Sequence, residues 1–225
     1  MSRQSICITS NNFNADKLVI SEVKELKIRG NIKMKIAEIF YKNEKNELCD
    51  LYMSLPKLDT YGPFPQYKFG SESKISENIV GYTISYQNES ISKLFKNIQK
   101  IVSKQFKKYN IKPVFIMNKN NIDTAYFKVK MNGKEMITRF FSDKKQSKSI
   151  NGLDLIKKRG ELTPMIHIRS LYFGNHGSSD FNCSIQINII KAIFLEKQNT
   201  FPDFVFNETD SEEETETEEE VEVEY

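Results

Sequence analysis

The chain has 225 residues, and its 33 Lys and Arg against 30 Asp and Glu leave a net charge of +3. Hydrophobic residues make up 39%, enough for a real core, yet no run approaches the ~18 apolar residues of a membrane-spanning helix. Three widely spaced cysteines, Cys7, Cys49 and Cys183, exclude a disulfide framework and point to reduced thiols inside a cell.

The opening M-S-R-Q-S-I-C-I has no apolar run of signal-peptide length, so a soluble, intracellular protein is expected. Residues 18–23 suit a short strand. Residues 24–41 read as a longer one, with Ile32, Met34, Ile36 and Phe40 alternating against Lys33, Lys35 and Tyr41. A polar turn at 43–47 leads to a returning strand at 48–55, and residues 79–86 form another. Between them, residues 56–70 hold three prolines and two glycines and read as a loop. That loop carries Tyr61, Phe64, Tyr67 and Lys68. Its rings either pack it onto the core or form an aromatic lip beside a binding groove.

Residues 89–109 are the one clear helix. Ile91, Leu94, Phe95, Ile98, Ile101, Val102, Phe106 and Tyr109 recur at the 3.6 period. Asn88 or Ser90 can cap its start, and Asn110 and Pro113 end it. From Ser90 to Ile122 there are eight lysines and no acid, which gives this stretch a field of one sign.

A hairpin signal follows: A-Y-F-K-V-K-M, then Asn132-Gly133, then K-E-M-I-T-R-F-F. Asn-Gly favours a type I′ turn, which would set Met131 opposite Lys134 and Tyr126 opposite Arg139. One face is then Phe127, Val129, Met131, Met136 and Thr138, and belongs to the core. The other holds Tyr126, Lys128, Lys130 and Arg139. A ring among cations suits base stacking and phosphate contact on a single strand, and a plain solvated face is the alternative. Residues 142–151 form a basic polar loop with Lys144 and Lys145. One or two helical turns are expected within 152–159, and long strands at 164–173 and 181–195. A strand-rich body with one inserted helix suits a closed or nearly closed β-barrel.

The charge balance changes at residue 208. From Glu208 onward there are 11 acids and no bases, so residues 1–207 carry 33 bases against 19 acids, or +14. A basic domain over 1–207 is thus followed by an acidic tail over 208–225. That tail cannot bury enough apolar surface to order itself, and disorder is expected there. A basic body attracts a polyanion, and nucleic acid is the commonest. A tethered acidic tail competes for the same surface, unless it serves only as a solubilising brush.

No catalytic pattern stands out. His167 and His176 lack Cys or His partners at metal-ligand spacing, and there is no P-loop, G-x-S-x-G or dinucleotide fingerprint. No enzyme, metal or cofactor is expected.

The segments L-Y-M-S-L-P-K-L and G-P-F, the long helix after Y-T-I-S-Y, L-Y-F-G near the end, and the closing V-E-V-E-Y carry a resemblance. With its Lys-, Asn- and Ile-rich composition, the chain resembles the single-stranded DNA-binding proteins of nucleocytoplasmic large DNA viruses, mimivirus-like ones in particular. That family is related to the replicative single-stranded DNA-binding protein of short-tailed coliphages. The resemblance implies an OB-fold-like β-barrel core and binding of single-stranded DNA without sequence preference. It also implies replication partners such as a DNA polymerase, reached through Glu220, Glu222, Glu224 and Tyr225. It places the protein in a viral replication factory of the host cytoplasm, or packaged in the virion. A homodimer is compatible with it. The competing class is an acidic-tailed histone-chaperone-like or virion scaffold protein that binds basic partners.

Overall fold

A computed structural model describes residues 4–27, 33–67, 79–174 and 180–197. The described chain begins with β1 (Ser5–Thr9), β2 (Leu18–Ile20), β3 (Lys24–Lys27), β4 (Lys33–Lys42) and β5 (Leu48–Ser54). Next come β6 (Leu58–Thr60), β7 (Phe64–Tyr67) and β8 (Ile79–Tyr86), then the helix α1 (Glu89–Gln105). β9 (Phe115–Met117), β10 (Asp123–Val129), β11 (Met131–Asn132) and β12 (Glu135–Met136) follow. β13 (Arg139–Phe141), β14 (Ser149–Ile150), β15 (Gly160–Phe173) and β16 (Cys183–Glu196) complete it. The protein is mainly β with a single α-helix among the described residues, which matches a barrel-like body with one inserted helix.

The two longest strands organise the sheet. β15 and β16 pair antiparallel from Gly160 opposite Glu196 to Phe173 opposite Cys183. The other edge of β15 is shared in relay by β6, β5 and β4. The other edge of β16 is shared by β10 and β13, both parallel to it. β8 and then β7 extend the sheet beyond β10, while β1 pairs in parallel with β5. β2 and β3 cover the outer edge of β4, β9 pairs with β10, and β14 pairs with β13.

Two bulges keep the long strands in phase. In β15 the core residues Leu162, Ile166 and Ile168 give way to Leu171 and Phe173, because Arg169 is inserted between paired positions. In β16 the core residues Ile185, Ile187 and Ile189 give way to Ala192 and Phe194, because Ile190 is inserted. Each extra residue flips the alternation once and bends the strand, so the buried face follows the curved core along its whole length.

The Asn88 side chain caps α1 by accepting from the Ile91 N–H at 3.1 Å, whereas Ser90 lies inside the helix. Ile91, Phe95, Ile98 and Val102 are buried, and the Phe95 ring lies 5.8 Å from Phe115 and 6.0 Å from Phe127. The helix therefore covers the core face of β10. It stops at Gln105, short of the expected Tyr109. Phe106 leaves helical geometry, and the rings of Phe106 and Tyr109 instead pack on Phe173 at 5.3 and 4.5 Å.

Three local expectations change. The expected loop at 56–70 contains β6 and β7; Pro65 is tolerated in β7 because that strand is the sheet's edge and no ladder donor is missed there. In β4 the core residues are Ala37, Ile39 and Tyr41, so Met34 and Ile36 belong to the opposite, outer face. Ile32 lies outside the described residues. The hairpin turns on Gly133-Lys134, with Met131 opposite Met136, two positions from the expected register. Gly133 has φ 60 and Lys134 is not left-handed, the pattern of a type II′ turn with glycine first. A shift of two preserves the faces. The hairpin is short, however. β10 leaves it to pair with β8 and β16, and Arg139 pairs beside Lys191 of β16, not across from Tyr126.

Candidate nucleic-acid interface

The outer face of the sheet, opposite α1, carries the candidate site. β10 touches β16 only at Lys128–Asn188 and Val129–Ile189. Toward the start of both strands they part, and the segment leading to β9 crosses the gap: Ile111 bridges Cys183, and Phe115 pairs with Ala125. The fork holds a groove of about 600 Å³. Tyr126 and Lys128 line one wall, Lys112 the crossing segment, Gln186 the far wall, and Tyr172 and Met34 the end. The size suits a nucleotide-scale ligand, and the lining mixes apolar area with a few polar groups as such sites do.

Tyr126 is 45% exposed, and Phe64 of β7 meets its ring edge-on at 5.9 Å. Exposed tyrosine held by a second ring is a ready stacking surface. Beside it, Thr83 lines the groove, yet its Oγ1 is buried and has no hydrogen-bond partner among the described residues. A buried hydroxyl left unpaired costs about 1–3 kcal/mol.

Further along the same face, Tyr52 of β5 and His167 of β15 stack with centroids 4.5 Å apart and planes within 16°. Burial holds the His167 imidazole below its usual pKa; Asp50 opposes this, while Arg169 and Lys130 reinforce it. The ring is thus neutral at neutral pH. Cys183 points to the core instead, with its thiol pushed up to about 12 by burial, on the opposite face from His167.

Electrostatically, cations outnumber carboxylates around the groove, and Asp50 stands beside the Tyr52–His167 stack. Most ion pairs of the described residues lie away from the groove, although Lys24 meets Glu38 on the outer face of β4 and Lys33 and Lys35 meet Glu25. Lys57 and Lys197 meet Glu161 and Asp59, Lys158 meets Glu196, and Lys93 and Lys96 of α1 meet Glu89 and Asp123. Hydrogen bonding to Lys197 holds the Asp59 carboxyl below its usual range. Among the described residues, no carboxylate lies within ion-pair distance of Lys112, Lys128, Lys130, Arg139 or Arg169.

The structure thus brings together Tyr126, Lys128 and Phe64. Lys130 sits exposed where the hairpin leaves β10, and Arg139 lies one row further along β16. Lys144 and Lys145 are exposed in the turn after β13, which the Asp143 carboxylate holds by accepting from the Ser147 and Lys148 N–H groups. Gln146 ties that turn to Lys191 at 3.0 Å. Tyr61 is 65% exposed in the β6–β7 connection, away from the groove lining, and Tyr67 ends β7 opposite Ile79. Lys68, His176, Glu220, Glu222, Glu224 and Tyr225 lie outside the described residues. Lys112, Gln186, His167, Tyr52 and Arg169 were missed from sequence. The signal for Gln186, His167 and Arg169 is the alternation H-I-R in β15 and Q-I-N in β16, where the outward positions between isoleucines are polar and none is acidic.

Among the described residues, no three His, Cys, Asp or Glu side chains gather as a metal site, and no helix is long and apolar enough to cross a membrane. In comparisons with known proteins, no family model matches the chain and no curated protein matches it.

Proposed function

We propose that the chain is a single-stranded DNA-binding protein without sequence preference, acting in viral DNA replication, recombination or repair. The observation that carries this is the outer face itself: exposed and stacked rings beside five cations that have no carboxylate partner among the described residues. Bases stack on rings whatever their identity, and phosphates meet cations, so affinity needs no base-edge readout. A duplex hides its base faces and gains only the charge term.

The test is a titration of the full chain with labelled oligo-dT and with duplex of equal length. Oligo-dT is expected to bind more tightly, and equal or tighter duplex binding overturns the proposal. Tyr126→Ala is expected to weaken oligo-dT binding about tenfold, since stacking of one base is worth about 1–3 kcal/mol.

The acidic block 208–225 fits the same reading as a competitor for this face. Lys197 is followed by 28 residues to Tyr225, and an extended chain of that length spans roughly 90–100 Å. DNA carries a denser line of charge and displaces it, which frees Tyr225 and the carboxylates of Glu220, Glu222 and Glu224 for a polymerase or other replication protein. Deleting residues 209–225 is expected to tighten single-strand binding, most at low salt where charges are least screened. Anisotropy titrations of the truncated and full chains check this. Weaker binding after truncation would mean that the tail holds the strand.

A further inference from the structure

We infer that the bound strand crosses the sheet at right angles to its β-strands, along a row that leads from the fork groove to the Tyr52–His167 stack. This rests on the single-strand-binding reading and adds to it a second base platform and a direction. The row is set by register. Phe64 pairs with Thr83, Thr83 with Lys128, Lys128 with Asn188, Asn188 with His167, and His167 with Tyr52. Paired residues share a face, so these six side chains form one belt on the outer surface.

The belt has the chemistry of a strand path. It has rings at both ends, Phe64 with Tyr126 on one side and the Tyr52–His167 stack on the other. Its middle is Lys128 and Asn188, flanked by Thr83, whose buried hydroxyl has no partner among the described residues. Arg169 and Lys130 stand close enough to His167 to act on its charge, and they supply phosphate contacts at the far platform. Asp50 is the one carboxylate felt there, and it sits on the β5 side of the stack. Five inter-strand gaps of about 4.8 Å make the belt about 24 Å long, room for about seven nucleotides at ~3.4 Å each and fewer if the strand is stretched.

The experiment uses the full chain with labelled oligo-dT of about four and about twelve nucleotides, lengths within the range one such fold covers. Tyr52→Ala and His167→Ala are each expected to weaken the longer oligonucleotide about fivefold or more and to change the shorter one less than about twofold. Tyr126→Ala is expected to weaken both. Tyr52→Phe keeps the ring and is expected to bind like the parent. In parallel, the parent is cross-linked by light to bromodeoxyuridine-substituted oligonucleotide, which is independent of any variant's folding. Peptides carrying Tyr52 or His167 are expected among the products. If both alanine variants hold the longer oligonucleotide like the parent, or no cross-link reaches β5 or β15, this path is overturned while single-strand binding stands. A parent that binds neither oligonucleotide overturns both.

Discussion

Between about 50 and about 200 mM salt, affinity for oligo-dT is expected to fall about a hundredfold. The outer face presents Lys112, Lys128, Lys130, Arg139 and Arg169 without carboxylate partners among the described residues. Each phosphate neutralised on a single strand contributes about −0.7 to the log–log salt slope, so five contribute about −3.5. A fourfold rise in salt then costs about two powers of ten. Lysines that already face carboxylates, such as Lys96 with Asp123 at 2.6 Å, add little, because no counterion is released there. Lys128→Ala is expected to flatten the slope by about 0.7. A slope near zero would mean that the contacts are not phosphate contacts, and the nucleic-acid reading would fall.

Phe127→Ala is expected to cost about 3–5 kcal/mol of folding stability, read as a lower urea midpoint at unchanged slope. Phe127 is 2% exposed and meets the rings of Tyr86, Phe95 and Phe115 at 5.5, 6.0 and 6.3 Å. It joins α1 to the core side of the strand whose other side carries Tyr126 and Lys128. Removing it opens a cavity between helix and sheet that neither rigid element can close. A loss below about 1 kcal/mol would show that α1 does not depend on this contact.

Local rules made the fold class legible. The period of α1 and the cap at Asn88 set the helix start, and the alternation of residues 79–86 matched β8 end to end. Where two local signals competed, tertiary context decided. Asn132-Gly133 favours its own turn, but Gly133 alone can supply the left-handed position that β11 and β12 need. Pro65 looks like a strand breaker and is harmless at an edge. The site was legible only where it is local. Tyr126 and Lys128 are two residues apart on one strand and were found together. Lys128, Asn188, His167 and Tyr52 are neighbours only through parallel and long-range pairing, which no local pattern encodes.

The relay of β6, β5 and β4 along one edge of β15 has a consequence for how the chain comes off the ribosome. Tyr52 and His167 are ladder partners 115 residues apart in the chain. At roughly 5–20 residues per second, β5 waits on the order of 6–23 s before its partner has even been synthesised. During that interval, among the described strands, β4 and β5 have only each other, β1, β2 and β3 to pair with, and the backbone edges that will meet β15 stay open to solvent. Contacts of such long range carry a high closure entropy and form late. The newborn protein therefore passes through a stage with bare strand edges, when it is most exposed to aggregation and most dependent on holding chaperones. The last described strand, β16, then adds the second long edge on which β10 and β13 pair.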